Sequence, residues 1–141
     1  GGNTSLPPLI PITDPRLSHV SKKVKVSTRD RVRRWVFTHH CESEDVAKIW
    51  LDKWYKGLMR DGVIFVIGLE KAPTTGAWHL QGYIEFKNQK DLSALKKQYP
   101  PNIHWERALG NRRANYKYFQ TIPGVRGSLL WDDLLFDYDF E

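Results

Sequence analysis

The chain has 141 residues, a length typical of one domain that buries a core without disulfides. Its single cysteine excludes a disulfide within the chain, and no apolar run is long enough to cross a bilayer, so we expect no membrane-spanning segment. The net charge of +6 favours an anionic partner, with nucleic acid first.

Residues 1–32 are predicted to form an N-terminal arm that is rich in proline and in basic residues. Four prolines between positions 7 and 15 lie among small and polar residues, a composition that buries too little apolar surface to order itself. The basic stretch at residues 22–26 could be a short edge strand, an arm that follows phosphates, a nuclear-import signal or a solvated linker.

The folded domain is predicted to span residues 33–122, followed by a C-terminal extension at residues 123–141. Hydrophobic periodicity and turn residues predict strands at residues 34–40, 63–70, 77–86 and 102–109, and helices at 43–60, 89–99 and 111–121. This order is β-α-β-β-α-β with one added helix. It predicts an α+β fold in which an antiparallel sheet has the split βαβ arrangement of ferredoxin-like and RNA-recognition domains. Both long helices would cover one face.

The second and third strands place three polar side chains close together. Alternation along a strand puts His79 and Gln81 on the same face. A hairpin through the turn at residues 73–76 would bring Glu70, at the end of the preceding strand, back beside them. A carboxylate, an imidazole and an amide oxygen suit Mg²⁺ or Mn²⁺ better than zinc. Each residue taken alone is more often an ordinary strand position.

The last predicted helix holds a second group of chemically active side chains. Steps of three and four residues place Tyr118 on one side of this helix and direct Tyr116 and Lys117 elsewhere. Arg112 and Arg113 lie in the first turn, where a bound phosphate would relieve the unfavourable placement of cations. A tyrosine beside a metal site is suited to covalent phosphoryl transfer, although buried tyrosines on such helices usually serve packing.

Four segments together resemble the replication-initiator (Rep) proteins of circular single-stranded DNA viruses, the circovirus type above all. They are Trp35–Thr38, Ile67–Glu70, His79–Tyr83 and Gly110–Thr121, in the same order and spacing. The resemblance covers roughly residues 33–123. Rep proteins carry an HUH-type endonuclease domain, and this resemblance implies that the chain nicks a replication origin to start rolling-circle replication.

The resemblance also implies roles for individual residues. Glu70, His79 and Gln81 fall on the positions that hold Mg²⁺ or Mn²⁺, and Tyr118 falls on the nucleophile that forms a 5′-phosphotyrosine and releases a 3′-hydroxyl, a cleavage later reversed by joining. DNA contacts are predicted for two sets of residues: Arg34, Phe37, Thr38 and His39 on the first strand, and Arg112, Arg113 and Lys117 on the last helix. A viral initiator would act in the host nucleus, and self-association stays open.

Two positions depart from the Rep pattern. Thr121 stands where the family has a lysine, so we expect slower nicking unless Lys117, Arg113 or a residue of the N-terminal arm supplies the charge. His39, His40 and Cys41 follow Phe-Thr where the family usually continues with Leu and Asn. The chain contains no Gly-rich phosphate loop of the kind found in the helicase module that follows in full-length initiators.

Two alternatives without catalysis remain. Aromatic residues on the first and third predicted strands loosely resemble the base-stacking strands of an RNA-recognition motif, which would bind single-stranded nucleic acid. A Rep-like domain that has lost nicking but still binds DNA is the other. We also expect the extension at residues 123–141, which combines five acidic groups with bulky apolar residues, to cover the basic surface as a mimic of DNA or to form a packing segment.

Overall fold

A five-stranded antiparallel sheet organises the computed structural model, which describes residues 30–128. Its elements are β1 (Val32–Cys41), α1 (Glu44–Asp61), β2 (Ile64–Lys71), β3 (Trp78–Lys90), α2 (Leu92–Gln98), β4 (Ile103–Arg107), α3 (Arg112–Phe119) and β5 (Arg126–Gly127). The spatial order is β4-β1-β3-β2-β5, with each neighbouring pair antiparallel. The predicted α+β fold with a split βαβ arrangement is confirmed.

One face of the sheet carries the larger core. Phe37 on β1 stacks on Trp54 of α1 at a ring-centroid distance of 4.3 Å, and Leu58 and Leu95 bring α1 and α2 onto the same cluster. Ser43 begins α1 as predicted, since its side chain accepts a hydrogen bond from the amide of Val46. Both long helices therefore cover this face, and none of the helices within residues 30–128 is long and apolar enough to span a membrane.

The opposite face is partly covered by α3. Tyr116, Tyr118 and Phe119 of this helix pack with Val66 and Tyr83 of the sheet in a second, smaller cluster. Gly68 permits the close approach of the segment that follows α3, because a Cβ atom at this position would lie 2.9 Å from Cγ2 of Ile122. The remainder of this face carries Glu70, His79 and Gln81 together with Thr38.

The larger differences from the sequence prediction lie in β3, α2, α3 and β5. Strand β3 continues to Lys90, which pairs with Val32, so α2 starts at Leu92 with Asp91 as its N-cap rather than at residue 89. Helix α3 ends at Phe119 instead of residue 121. The short strand β5 was not predicted; it pairs Gly127 with Val66 and extends the sheet past residue 122. The predicted arm as far as residue 29 and the acidic segment at residues 129–141 lie outside the described residues.

Candidate active site

The register of β2 and β3 brings the three predicted ligands to one place. Glu70 pairs with His79, and Gly68 pairs with Gln81, so the two registered pairs lie two residues apart on the same face of the sheet. His79 Nε2 lies 3.3 Å from Oε1 of Glu70. His79 and Gln81 are 3% and 0% exposed, whereas the Glu70 side chain is 28% exposed and opens the group to solvent.

Helix α3 adds the tyrosine to this group. The hydroxyl of Tyr118 donates a hydrogen bond of 2.9 Å to Oε1 of Glu70, the same oxygen that lies near His79. The Tyr118 ring is buried against Phe119, yet its hydroxyl is directed at a carboxylate and not at the apolar cluster. A phenol, an imidazole and a carboxylate therefore meet at one oxygen atom.

One hydrogen bond ties α3 to the sheet, and two asparagines fix the start of the helix. The hydroxyl of Tyr116 donates to the carbonyl oxygen of Phe65 at 2.7 Å. The amide of Asn115, a fully buried side chain, donates to the carbonyl oxygens of Leu109 and Asn111. Asn111 also caps the helix by accepting from the amide of Ala114, as its place before the helix requires. Tyr116 thus has a packing role that leaves Tyr118 as the tyrosine at the carboxylate.

Gln81 is oriented from the neighbouring strand β1. The hydroxyl of Thr38, its registered partner, donates to Oε1 of Gln81 at 3.2 Å. The buried atoms Nε2 of Gln81 and Nδ1 of His79 have no hydrogen-bond partner among residues 30–128. The amide oxygen and nitrogen are interchangeable by a rotation of the side chain, in which case the unpartnered atom is an oxygen acceptor. Two of the predicted ligands thus each have a buried polar atom without a partner, as is expected where an additional group binds.

The donor set fits a hard divalent cation. Carboxylate and amide oxygens are ligands of Mg²⁺ and Mn²⁺, and one imidazole is compatible with Mn²⁺. Within the described part of the chain, no cluster of three or more His, Cys, Asp or Glu side chains is placed to hold a metal ion. A cation here would therefore depend on the amide of Gln81 as its third protein ligand.

His40 belongs to this face and was missing from the predicted site. It pairs with His79 across β1 and β3, and the two ring centroids lie 6.0 Å apart. Burial lowers the pKa of His40, and the neighbouring His79 and His104 lower it further. Strand alternation from Thr38 gives His40 directly, so the signal was present in the sequence.

Phe37 and His39 lie on the other face of β1. Phe37 is 1% exposed in the main core, and Nδ1 of His39 accepts a 2.9 Å hydrogen bond from the indole nitrogen of Trp54. Burial, followed by the proximity of His40, lowers the pKa of His39 to about 4. The sheet separates both side chains from Tyr118. The structure thus does not bring these two predicted DNA contacts to the site, although Thr38 is there.

The predicted basic contacts lie on β1 and α3. Arg112 donates from Nε to Glu85 at 3.3 Å, and Tyr83 donates to the same carboxylate at 2.8 Å. Burial alone would raise the pKa of Glu85, but hydrogen bonds from Arg112 and Tyr83 outweigh it and the pKa lies below its usual value. Arg34 donates to the carbonyl oxygen of Gly110.

The remaining predicted residues lie on and just beyond α3. Lys117 is exposed, and Arg113 is four positions before it, on the same side of the helix. Thr121 lies beyond the helix end, where its hydroxyl donates to the carbonyl oxygen of Tyr118 at 2.9 Å. Thr121 therefore caps the backbone of Tyr118 instead of supplying charge.

Known proteins match most of the described region. The family model of viral replication proteins, Viral_Rep, matches residues 32–120. The replication-associated protein of Beak and feather disease virus is 42% identical over 90 residues, which are 61% of this chain and 28% of the relative.

Two further relatives have comparable coverage. The Para-Rep C2 protein of Subterranean clover stunt C2 alphasatellite is 37% identical over 86 residues, which are 61% of this chain and 29% of that protein. The replication-associated protein of Canary circovirus is 34% identical over 87 residues, 61% of this chain and 28% of the relative. The chain thus spans less than a third of the length of these curated relatives.

Proposed function

Since the chain belongs to the viral replication protein family, as a Rep-like domain of the circular single-stranded DNA virus type, we propose that it nicks and rejoins single-stranded DNA at a replication origin. The observation that carries this proposal is the hydrogen bond from Tyr118 to Glu70 beside His79. It holds a phenol hydroxyl against a partly exposed carboxylate on the face of the sheet that α3 partly covers.

The reaction we propose is a transesterification. The phenol oxygen of Tyr118 attacks the scissile phosphorus, the bond between phosphorus and the 3′-oxygen breaks, and a 5′-phosphotyrosine remains with a free 3′-hydroxyl. Glu70 Oε1 already accepts the hydroxyl proton of Tyr118, so it is positioned to take that proton as the phenol attacks. The leaving 3′-oxygen takes up a proton from solvent, and the reverse reaction joins the strand.

Glu70, His79 and Gln81 would hold Mg²⁺ or Mn²⁺ at this place. The ion would offset the charge that develops on the phosphate oxygens. Thr38 acts through Gln81, because its hydroxyl bonds the side-chain amide; with the amide rotated so that its oxygen would face the ion, the same hydroxyl would accept from the amide nitrogen. A carboxylate offers several lone-pair positions, so Glu70 can accept from Tyr118 and still contribute to cation binding.

The test is the capture of a covalent intermediate. The protein is incubated with a library of single-stranded oligonucleotides and Mn²⁺, then denatured. We expect a protein–DNA adduct that is absent with a chelator and absent in Tyr118→Phe, whereas Tyr55→Phe, on the helix of the opposite face, forms it. An adduct in Tyr118→Phe would contradict the role of Tyr118. A complete lack of adduct with any oligonucleotide, despite retained binding, would favour a Rep-like domain that only binds DNA.

Metal binding is tested separately from activity. In the absence of DNA, Mn²⁺ binding measured by calorimetry should weaken in Gln81→Ala by about 10- to 100-fold, the usual cost of a lost ligand contact or of its orientation. Gln98→Ala, an exposed glutamine on α2, is the matched control. Equal affinities in the two variants would remove Gln81 from the ligand set.

The structure disfavours the alternative based on an RNA-recognition motif. That function requires aromatic rings exposed on neighbouring strands, so that bases can stack on them. Trp35, Phe37, Tyr83 and Phe86, the aromatic residues of the two segments concerned, are all 2% exposed or less, and Trp78 at the start of β3 is half-buried. The first four rings therefore offer no surface for stacked bases.

A further inference from the structure

An open cleft lies at the end of the sheet away from Tyr118. It has a volume of about 810 Å³, and four arginines line it together with Glu85: Arg33, Arg34, Arg107 and Arg112. We call it the arginine cleft. The described residues of its lining carry four positive charges and one negative charge, and that carboxylate is already engaged by Tyr83 and Arg112.

An irregularity in strand pairing lies at this cleft. Arg34 pairs with Glu85, but Val32, two residues before it, pairs with Lys90, five residues further along β3. The extra residues of β3 form a bulge, and bulges often occur beside functional sites. Gln89, which belongs to the bulge, lines the cleft.

The cleft lies in line with the candidate active site. Arg34, Thr38 and His40 alternate along β1 on the face that carries Tyr118, and their partners on β3 are Glu85, Gln81 and His79. Six residues of β3 separate His79 from Glu85, which corresponds to about 20 Å at roughly 3.3 Å per residue. One DNA strand can span that distance with a few nucleotides, since phosphates in a strand are about 3.4 Å or more apart.

The guanidinium groups are suited to phosphate. Planar guanidinium groups bind phosphate oxygens through two parallel hydrogen bonds, and charge-assisted bonds of this kind are strong. Arg33 is exposed, lines the cleft and donates from Nε to the carbonyl oxygen of Phe86 at 3.0 Å. Nε of Arg107 forms an ion pair of 3.4 Å with Asp30.

We propose that the arginine cleft binds backbone phosphates of the same DNA strand whose scissile phosphate lies at Tyr118. This inference rests on the proposed function and adds to it a second phosphate-binding subsite, with Arg33 and Arg107 as contacts that the sequence did not indicate. Arg112 is the positioning residue of the cleft, because its bonds to Glu85 fix the start of α3.

The experiment measures binding alone. An oligothymidylate of about 20 nucleotides is titrated by fluorescence anisotropy at several salt concentrations, with a chelator present and Tyr118→Phe as the background, so that neither nicking nor metal contributes. The test variant is Arg33→Gln with Arg107→Gln. The control is Lys96→Gln with Lys97→Gln, which removes the same charge from exposed positions on α2, on the other face. Arg33→Lys with Arg107→Lys retains the charge.

Each lost phosphate contact should reduce the slope of log K against log salt by about 0.7. A change of about 0.7 in this slope means that, between 1 M and 0.1 M salt, each lost contact reduces the gain in affinity by about fivefold. The double glutamine variant loses two contacts, so the reduction should be about 25-fold. The lysine-retaining variant should recover most of this loss, and the α2 control should change binding much less.

Equal affinity and slope in the cleft variant and the α2 control would overturn the proposal, provided that both melt at the parental temperature. If the double glutamine variant unfolds, the double lysine variant becomes the test. A loss of DNA affinity in the lysine variant as large as that in the glutamine variant would also contradict a site that depends on charge. Failure to form the covalent adduct would leave these binding results standing, so the two proposals fail separately.

Discussion

Acidification should destabilise the protein through His39. The unfolded state binds a proton at this side chain below pH 6.5, while in the folded protein burial and the neighbouring His40 lower the pKa to about 4. The folded state thus binds fewer protons across this window. The contribution of neutral His39 is fully present above pH 6.5 and is lost as the pH falls toward 4.

The size of the effect follows from the shift. One pKa unit corresponds to about 1.4 kcal/mol, so His39 should lower the free energy of unfolding by about 3 kcal/mol between neutral pH and pH 4. The structural cause is local. His39 is 8% exposed beside Trp50, and its Nδ1 accepts from the indole of Trp54, which a protonated ring cannot do.

The assay is urea unfolding at a series of pH values. His39→Asn keeps an acceptor near Nδ1 but does not titrate, so the wild-type curve minus the variant curve isolates His39 from the other histidines. We expect the variant to be less stable at neutral pH, because it loses ring packing, and less sensitive to acid. Parallel curves for the two proteins between pH 7 and 4 would refute the assignment of His39 to the core.

Two other predictions concern charge. Glu85→Gln should lower the free energy of unfolding by about 3 kcal/mol, because it removes the buried carboxylate that pairs with Arg112. The control Glu44→Gln, in an exposed ion pair on α1, should change this free energy by about 0.5 kcal/mol or less. Similar urea midpoints for the two variants would contradict the prediction. Removal of residues 129–141, which carry five acidic groups, should strengthen the binding of single-stranded DNA at low salt. The effect should be small at high salt, because salt screens the charges. An unchanged affinity at low salt would show that this segment does not cover the basic surface.

The sequence predicted the core of the candidate site because simple periodicities fix it. Alternation along β3 selects His79 and Gln81, because alternate residues share a face. The hairpin pairs the end of β2 with the start of β3, so Glu70 lies beside His79. Helical spacing separates Tyr118 from Tyr116, and the resemblance to Rep proteins then selects Tyr118. These features depend on local geometry, which the sequence encodes directly.

The differences have equally physical reasons. His39 was chosen from the motif match, whereas alternation places its neighbour His40 on the face that carries Tyr118; the DNA contact of His39 stays a prediction. The start of α2 was set too early, because pairing of Lys90 with Val32 keeps β3 extended for longer than its local composition indicates. The arginine cleft was not predicted, because it lies at a bulge that interrupts the regular pairing of strands. The strand β5 was not predicted either, because two residues are too few to show a periodic pattern.

The most direct test of the central claim is to locate the residue that carries DNA in the covalent adduct. Trypsin cleaves after Lys117 and so separates the two tyrosines of α3 into peptides 114–117 and 118–126. After nuclease trimming, mass spectrometry should find the nucleotide on the peptide that begins with Tyr118. A nucleotide on peptide 114–117, which contains Tyr116, would contradict the account, because it would place the chemistry on the tyrosine that the structure assigns to packing.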